Sequence, residues 1–576
     1  MRVYGDRSAR LSPEQALEAL RKAALRIGAM APGVARHGAL VGLFIETAKL
    51  AQGVADHDMA RFQGDGASVA ADALMVRLMK LAGSVMRSWD SGFAEQDAPV
   101  IGDINAALPD EVEVRSPEGY AYYGLYPEAY AIAARRLPRF DGPDRVIGVR
   151  SIGTGLAALV AGELGAPPPL TVRPGGHPFA RRLTLADGVL DRLLVPGARY
   201  VVADEGPGLS GSSFAAVAAM LMSAGVSPDR IVLIPSHRAP PGPEASPSVR
   251  AIWARVSVRP AEPGGLVAED RIAEWASTLL GPLNGSVRDL SGGGWRHERW
   301  APERPPLDPR TERRKLLVRN DEGAWLVKFA GLGPDGERKA ERGRRLAQAG
   351  LVPEVRGVAH GFLVQRWIED VAAEARPTAA EVARYLAERT RRLEAPEGAG
   401  APLEELVAMA VFNTGVELGA EAAERLKGRL DGAGDLQPLC RPAAIDGKLD
   451  RWEWLRTPDG RLLKADALDH DADHDLVGPQ DLAWDVVGAA VELGLPVQTL
   501  AEETGRGAER AVEPRLLGIL VPCYLAFRLG AARMAQRMQD SVEGELNAKA
   551  AERYAAALAA WLADAPHPAL SDRAVE

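Results

Sequence analysis

Four short apolar runs constrain this chain more than any other feature: VIGVRSI (Val146 to Ile152), PLTVRP (Pro169 to Pro174), YVVADE (Tyr200 to Glu205) and RIVLIPS (Arg230 to Ser236). Between them lie helix patterns that begin after Gly155 and Gly211. A strand buried on both faces is continuously apolar rather than alternating. Strands that take turns with helices form a parallel sheet with helices on both faces. Residues 100–245 are therefore expected to be an α/β domain. In such sheets ligands bind beyond the carboxyl ends of the strands.

The flanking regions differ. Residues 12–95 have apolar positions at three- and four-residue spacing behind the cap-like Ser12-Pro13-Glu14, so 1–99 is expected to be a helical N-terminal region. Residues 246–283, bounded by RAPPGPEASPS and RPAEPGG, have the composition of a linker. A second unit follows: strand-like pieces on either side of Trp325 over 284–370, then a mostly helical stretch over 371–576. At 576 residues the chain should hold roughly two to four domains.

Composition narrows the chemistry. With 47% hydrophobic and 26% charged residues the chain is of globular type. Its net charge of −9 argues against nucleic acid as the main partner. Two cysteines, Cys440 and Cys523, are too few and too far apart for a disulfide framework and suit a reducing compartment. The N-terminus lacks the apolar core of a signal peptide, and the apolar stretches look too short or too interrupted by charge to span a bilayer, so a cytoplasmic location is expected.

The third run ends in Asp204-Glu205 and passes through GPGLSGSS into an alanine-rich helix. Gly206, Gly208 and Gly211 admit close approach of the backbone, and Ser210, Ser212 and Ser213 add hydroxyls where free helix N–H groups favour an anion. A phosphate suits that loop. Two adjacent carboxylates suit the hydroxyl-bearing or cation-bound part of the same ligand.

This stretch resembles the PRPP-binding motif of type I phosphoribosyltransferases, with one extra spacer residue and serine where threonine is usual. The resemblance implies that Asp204 and Glu205 hold the ribose hydroxyls while Ser210, Gly211, Ser212 and Ser213 hold the 5′-phosphate. GVRSIGTG is similar to the family's pyrophosphate loop, with Arg150, Ser151, Ile152 and Gly153 presenting N–H groups. TVRPGGHPFARRL supplies Arg173, His177, Arg181 and Arg182 to neutralise the leaving pyrophosphate. The tyrosines between Glu118 and Tyr130 are expected either to pack in the core or to form a platform for a flat base. The reaction implied is displacement of Mg-pyrophosphate from PRPP by a nitrogen nucleophile, or its reverse.

The second unit resembles aminoglycoside phosphotransferase-type kinases. DLSGGGW brings the glycine run Gly292, Gly293 and Gly294, and RRKLLVRNDEGAWLVKF is a hairpin with DEG at its turn that carries Lys328. A helix with Glu337 and Glu341 follows, then a hinge at Gln365-Arg366-Trp367-Ile368. The resemblance implies that Lys328 binds ATP phosphates and that Glu341 holds the lysine. Further on, IDGKLDRWEWL places Asp446 where histidine is usual, Lys448 where the catalytic aspartate is usual and Glu453 where the metal-binding asparagine is usual. Asp466 fits the magnesium aspartate, Asp481 the structural aspartate, and Asp450 is available as a displaced base. His470 and His474, four apart among aspartates, are open to three readings: a transition-metal pair, part of a magnesium loop or a solvated turn.

The sequence thus leads to an α/β phosphoribosyltransferase-like parallel sheet with N-terminal helices, followed by a bilobal kinase-like α+β domain. The expected function is PRPP-dependent transfer coupled to an ATP- and magnesium-binding module acting on small molecules of the same pathway. The alternative is a phosphoribosyltransferase governed by a nucleotide-sensing pseudokinase. The N-terminal helices are expected either to cap the active site or to form a homodimer.

Overall fold

The computed structural model describes residues 8–66, 68–299, 304–372, 375–395, 400–470, 476–538 and 542–564. Near the N-terminus the strand Ser8–Leu11 pairs antiparallel with Val112–Arg115. Between them run the helices Pro13–Gly28, Val34–Phe62 and Val69–Asp90. The last begins on Ser68, whose Oγ accepts the Ala71 N–H at 3.1 Å and satisfies one of the free donors of the first turn.

All four apolar runs form parallel strands: Asp144–Val149, Leu170–Val172, Arg199–Ala203 and Ile231–Ile234. A fifth strand, Ser257–Val258, joins them, and the spatial order is second, first, third, fourth, fifth. The order reverses between the first and third strands, and the crevice beyond their carboxyl ends is where such sheets bind ligands. Helix Gly153–Leu164 covers one face and is itself covered by the N-terminal helices, which is why its apolar residues go all round. Helix Ser212–Ser223 covers the other face, where Phe214, Val217 and Leu221 join the core.

Residues 246–283 are not a linker. They form helix Pro247–Trp253, the fifth strand and helix Glu269–Leu280, which buries Trp275 against the second unit. Their prolines and glycines occupy turns and a helix start, where Pro247 fits the first turn. Local composition carried the turn signal but not the packing of the elements between the turns.

The second unit begins with an antiparallel five-stranded sheet ordered Val355–Ala359, Phe362–Arg366, Gly323–Phe329, Lys315–Asn320, Arg288–Asp289. The expected hairpin is present, with Gly323 opposite Asn320. Helix Pro334–Gln348 packs on this sheet. The helical part is built around Ala379–Arg392, Leu403–Leu418, Ala483–Leu493, Val497–Gly507, Pro514–Arg537 and Val542–Leu562.

One core runs through the N-terminal helices, one face of the parallel sheet and the antiparallel sheet, where Trp325, Val327, Phe329 and Phe362 meet Tyr126 and Trp275. At Gly42 the backbones are so close that a Cβ would stand 3.0 Å from the Gly333 Cα. The first half and the antiparallel sheet are therefore packed as one body. Contrary to expectation, one helix among the described residues, Pro514–Arg537, is long and apolar enough to cross a bilayer, with a mean hydropathy of 1.4 over its most apolar window. That window is 78% buried among neighbouring helices, as in a core helix.

Candidate functional sites

At the carboxyl end of the third strand, Asp204 Oδ1 accepts the Glu205 N–H at 2.8 Å, and the Asp204 carbonyl accepts the Tyr130 hydroxyl at 2.8 Å. Burial pushes the Asp204 carboxyl up to about 7, against the Glu205 N–H and the positive charge of Arg173. The group is thus poised between protonation states near neutral pH. Glu205 Oε2 accepts the Gly119 N–H at 3.1 Å. Ser151 and Ser213 are also partly exposed along this edge, while Ile152 and Gly153 are buried in the turn that opens the helix. The Arg150–Ser151 peptide bond is cis.

The serines do more than line a loop. Ser212 Oγ donates to the Pro178 carbonyl at 2.7 Å, and Ser210 Oγ lies 3.3 Å from the same oxygen. Two of the three expected phosphate hydroxyls are therefore turned toward the hairpin between Gly175 and Arg182, whereas Ser213 is partly exposed at the helix start. Gly211, at φ +63°, has no room for a side chain: a Cβ would stand 2.8 Å from Trp253 Nε1.

Arg150 and Arg173 are placed differently from expectation. Arg150 Nε donates to Asp56 at 2.8 Å, its other nitrogens reach Asp65 and the Thr171 carbonyl, and its side chain is 2% exposed. Arg173 Nε donates to Asp56 at 3.0 Å and its backbone N–H to Asp65 at 2.7 Å. Both guanidinium groups thus tie the strand ends to the end of helix Val34–Phe62; that of Arg173 is not free for pyrophosphate, and the Arg150 N–H, expected to face the pyrophosphate, donates to the Val172 carbonyl at 2.9 Å. The reason is charge: a guanidinium buried this deeply needs a carboxylate partner. Among the cationic residues of the hairpin, Arg181 donates to the Gly176 carbonyl, and Arg182 and His177 are exposed. Tyr120, Tyr126 and Tyr130 are almost fully buried core residues, whereas Tyr122 is half-buried and Tyr123 is exposed, their rings edge to face 6.4 Å apart.

The second site is a cleft of about 230 Å³ between the antiparallel sheet and the helical part. Lys328 lies in it and pairs with Asp466 at 2.8 Å and with Asp469. Burial works against its charge, but the two aspartates outweigh burial and shift its pKa upward. The expected partner Glu341 instead faces solvent with Arg344 and Arg345, and Glu337 is exposed as well. The helix presents Lys339 inward, 2.8 Å from Asp469. A lysine thus occupies the inner face on which a glutamate was expected.

The loop expected to be the catalytic one carries unexpected charges too. Lys448 pairs with Glu453 at 3.1 Å, and Lys464 stands 3.7 Å from Glu453 and 3.3 Å from Asp446. Burial raises the pKa of Glu453, and the two lysines oppose it. Asp450 is no displaced base: it is completely buried and held by Arg528 through contacts of 2.8 and 3.1 Å. Burial would raise its pKa, but Arg528 and Lys448 outweigh burial and depress it. The aspartate that fixes the loop backbone is Asp485, which accepts the Asp446 and Gly447 N–H groups at 2.6 and 3.0 Å. Asp481 instead accepts the Arg441 and Ala483 N–H groups at 2.9 Å each.

The glycine run also departs from expectation. Gly292 and Gly293 have positive φ and turn the chain into the short helix Trp295–Arg299, which places Trp295 and Arg299, not the glycines, on the cleft wall. Arg299 lies 3.9 Å above the Trp367 ring and donates to the Ile368 carbonyl, so it occupies the hinge. The insert that follows roofs the cleft, where Asn547 donates to the Leu307 carbonyl at 2.9 Å. His470 is buried beside Asp466, and His474 lies outside the described residues.

The donor set decides what fits this cleft. Glu453 and Asp466, the expected magnesium ligands, each already face an ammonium group, so a divalent ion would have to displace Lys448 and Lys328. The cations lining the cleft are Lys315, Lys328 and Lys448 with Arg299, Arg310 and Arg313, and a phosphate-bearing ligand would compete for these lysines with Glu312, Asp466, Asp469 and Glu453. Asp56, Asp65, Lys339, Arg528 and Asp485 carried no motif in the sequence, while Asp469 lay in the Asp/His run without being singled out from it; only helical facing could have singled out Lys339, two residues from Glu341 and Glu337.

No protein-family model and no curated protein matches the chain. Among solved structures, choline kinase LicA from Streptococcus pneumoniae aligns with 50% of this chain and 99% of its own at 16% identity and a TM-score of 0.35. A choline/ethanolamine kinase family protein from Mesorhizobium loti covers 51% and 97% at 19% identity and a TM-score of 0.33. Macrolide 2′-phosphotransferase MphH from Brachybacterium faecium covers 49% and 98% at 16% identity and a TM-score of 0.32.

Proposed function

We propose that the protein is a phosphoribosyl-binding transferase whose kinase-like half binds a phosphorylated ligand without transferring its phosphoryl group. The observation that carries the first part is the reversal of strand order. It sets the Ser151–Gly153 turn beside Asp204, Glu205 and the start of helix Ser212–Ser223. In this reading Asp204 and Glu205 take the ribose hydroxyls, the helix N–H groups and Ser213 take the 5′-phosphate, and the Ser151–Gly153 turn takes the pyrophosphate. Displacement at C1 builds positive charge on the sugar, so the protein's work is positioning and stabilisation of charge. The hairpin with Arg181 and Arg182, which meets the serine loop at Pro178, is the cationic element this reading assigns to the leaving group.

The second part rests on Lys448. A lysine paired to Glu453 replaces a base with a fixed cation, and Asp450 is locked to Arg528. Phosphoryl transfer to a hydroxyl then lacks a proton acceptor. The test is calorimetric titration of Mg-PRPP into the intact protein and into Asp204→Asn, alongside a measurement of ATP consumption. Saturable PRPP binding that the variant loses, with ATP left intact, is the expected result. Absence of PRPP binding to the folded protein overturns the first part, and ATP turnover overturns the second.

A further inference from the structure

Three polar side chains from three separate segments converge at the junction of the two halves: His37 from helix Val34–Phe62, Glu128 from helix Pro127–Arg135, and His360 from the turn between strands Val355–Ala359 and Phe362–Arg366. Their ligating atoms all lie within 4.8 Å of one another, and all three side chains have zero exposure. His37 Nε2 stands 2.9 Å and His360 Nε2 3.5 Å from the same oxygen, Glu128 Oε1. His37 Nδ1 is held 3.0 Å from Ser88 Oγ, which orients the ring. Tyr126, Trp89, Trp275 and Phe93 surround the two imidazoles.

A hydrogen-bonded triad would explain these residues only in part. Neither nitrogen of His360 and not Glu128 Oε2 makes a hydrogen bond, although all three atoms are buried. Each such orphan costs about 1–3 kcal/mol unless something else satisfies it. A cation between the rings would satisfy two of them. Donors about 2.0–2.1 Å from zinc at tetrahedral angles lie about 3.3–3.4 Å apart, close to the separations found from Glu128 Oε1.

We propose that His37, Glu128 and His360 form a buried structural zinc site that fastens the N-terminal helices and the parallel-sheet half to the antiparallel sheet. The two Nε2 atoms and the Glu128 carboxylate provide a three-residue donor set. Ser88 supplies the outer hydrogen bond that metal-bound histidines commonly make. The site is closed to solvent, so its role is to hold the halves together rather than to activate water. It is independent of the ligand assigned to the sheet edge.

The intact chain, exposed to Zn2+ and then dialysed against metal-free buffer, should retain about one zinc per chain by mass spectrometry. Chelation should lower its melting temperature, and re-addition of Zn2+ should restore it. Cobalt substitution should give a visible absorption that the metal-free chain lacks and that both imidazoles are needed for. Glu128→Gln, which keeps shape and hydrogen bonding, and His360→Ala should each lose the metal. A folded wild-type chain without zinc, whose melting is indifferent to Zn2+ and chelator, overturns the site, as does zinc retained equally by both variants. Should a variant fail to fold, the cobalt spectrum and the chelator response of the wild type decide.

Discussion

Asp204→Asn should make the protein more stable and less able to bind its ligand, with a pH dependence that identifies the cause. The carboxyl lies near 7 in the folded chain against 3.8 for an ordinary aspartate, and the main cause is burial. A displacement of that size corresponds to about 4 kcal/mol, and the solvent contact that remains reduces the expected gain to ~2 kcal/mol. Its sign follows from proton counting. Between the two pKa values the folded chain holds a proton that the unfolded chain has lost, so stability falls as pH rises. The favourable contribution is complete below the unfolded value and is gone above about 7. Asparagine cannot ionise, and its side-chain oxygen can still accept the Glu205 N–H. The variant should therefore match the wild type near pH 4 and exceed it by about 2 kcal/mol at pH 8. The assay is urea unfolding of both proteins at pH 4.5, 6 and 8, with PRPP titration at pH 8. Equal stability of the two at every pH, or a gain largest in acid, would refute the placement of this carboxyl.

Asp56→Ala should cost about 3 kcal/mol, because it leaves Arg173 and the buried Arg150 with fewer partners; the urea midpoint checks it. Lys339→Met should destabilise by about 1–3 kcal/mol and weaken binding of a nucleotide probe, because it uncovers the buried Asp469. Glu341→Ala on the same helix should change stability by no more than about 0.5 kcal/mol and leave that binding alone, as its side chain is 53% exposed.

The sequence by itself determined the parallel sheet. Its strands are apolar on both faces, and each ends in residues the core cannot use, so Asp204, Glu205 and the serine loop were legible as a strand-end site. The hairpin carrying Lys328 and the helical stretches were legible for the same reason: a period of two or of three to four records which side of an element is buried. What such patterns do not record is which element lies opposite. Glu341 looked like the partner of Lys328 because it is on the following helix, yet helical geometry turns Lys339 inward and Glu341 outward. Arg173 looked free because Asp56 and Asp65 sit more than a hundred residues away at a helix end. The Pro- and Gly-rich stretch looked like a linker because turns are local, whereas the strand between them is paired by a distant one. His37, Glu128 and His360 gave no signal at all, being 91 residues and more apart on three elements. Burial of a polar group is a property of everything packed around it, and that is decided only when the chain has folded.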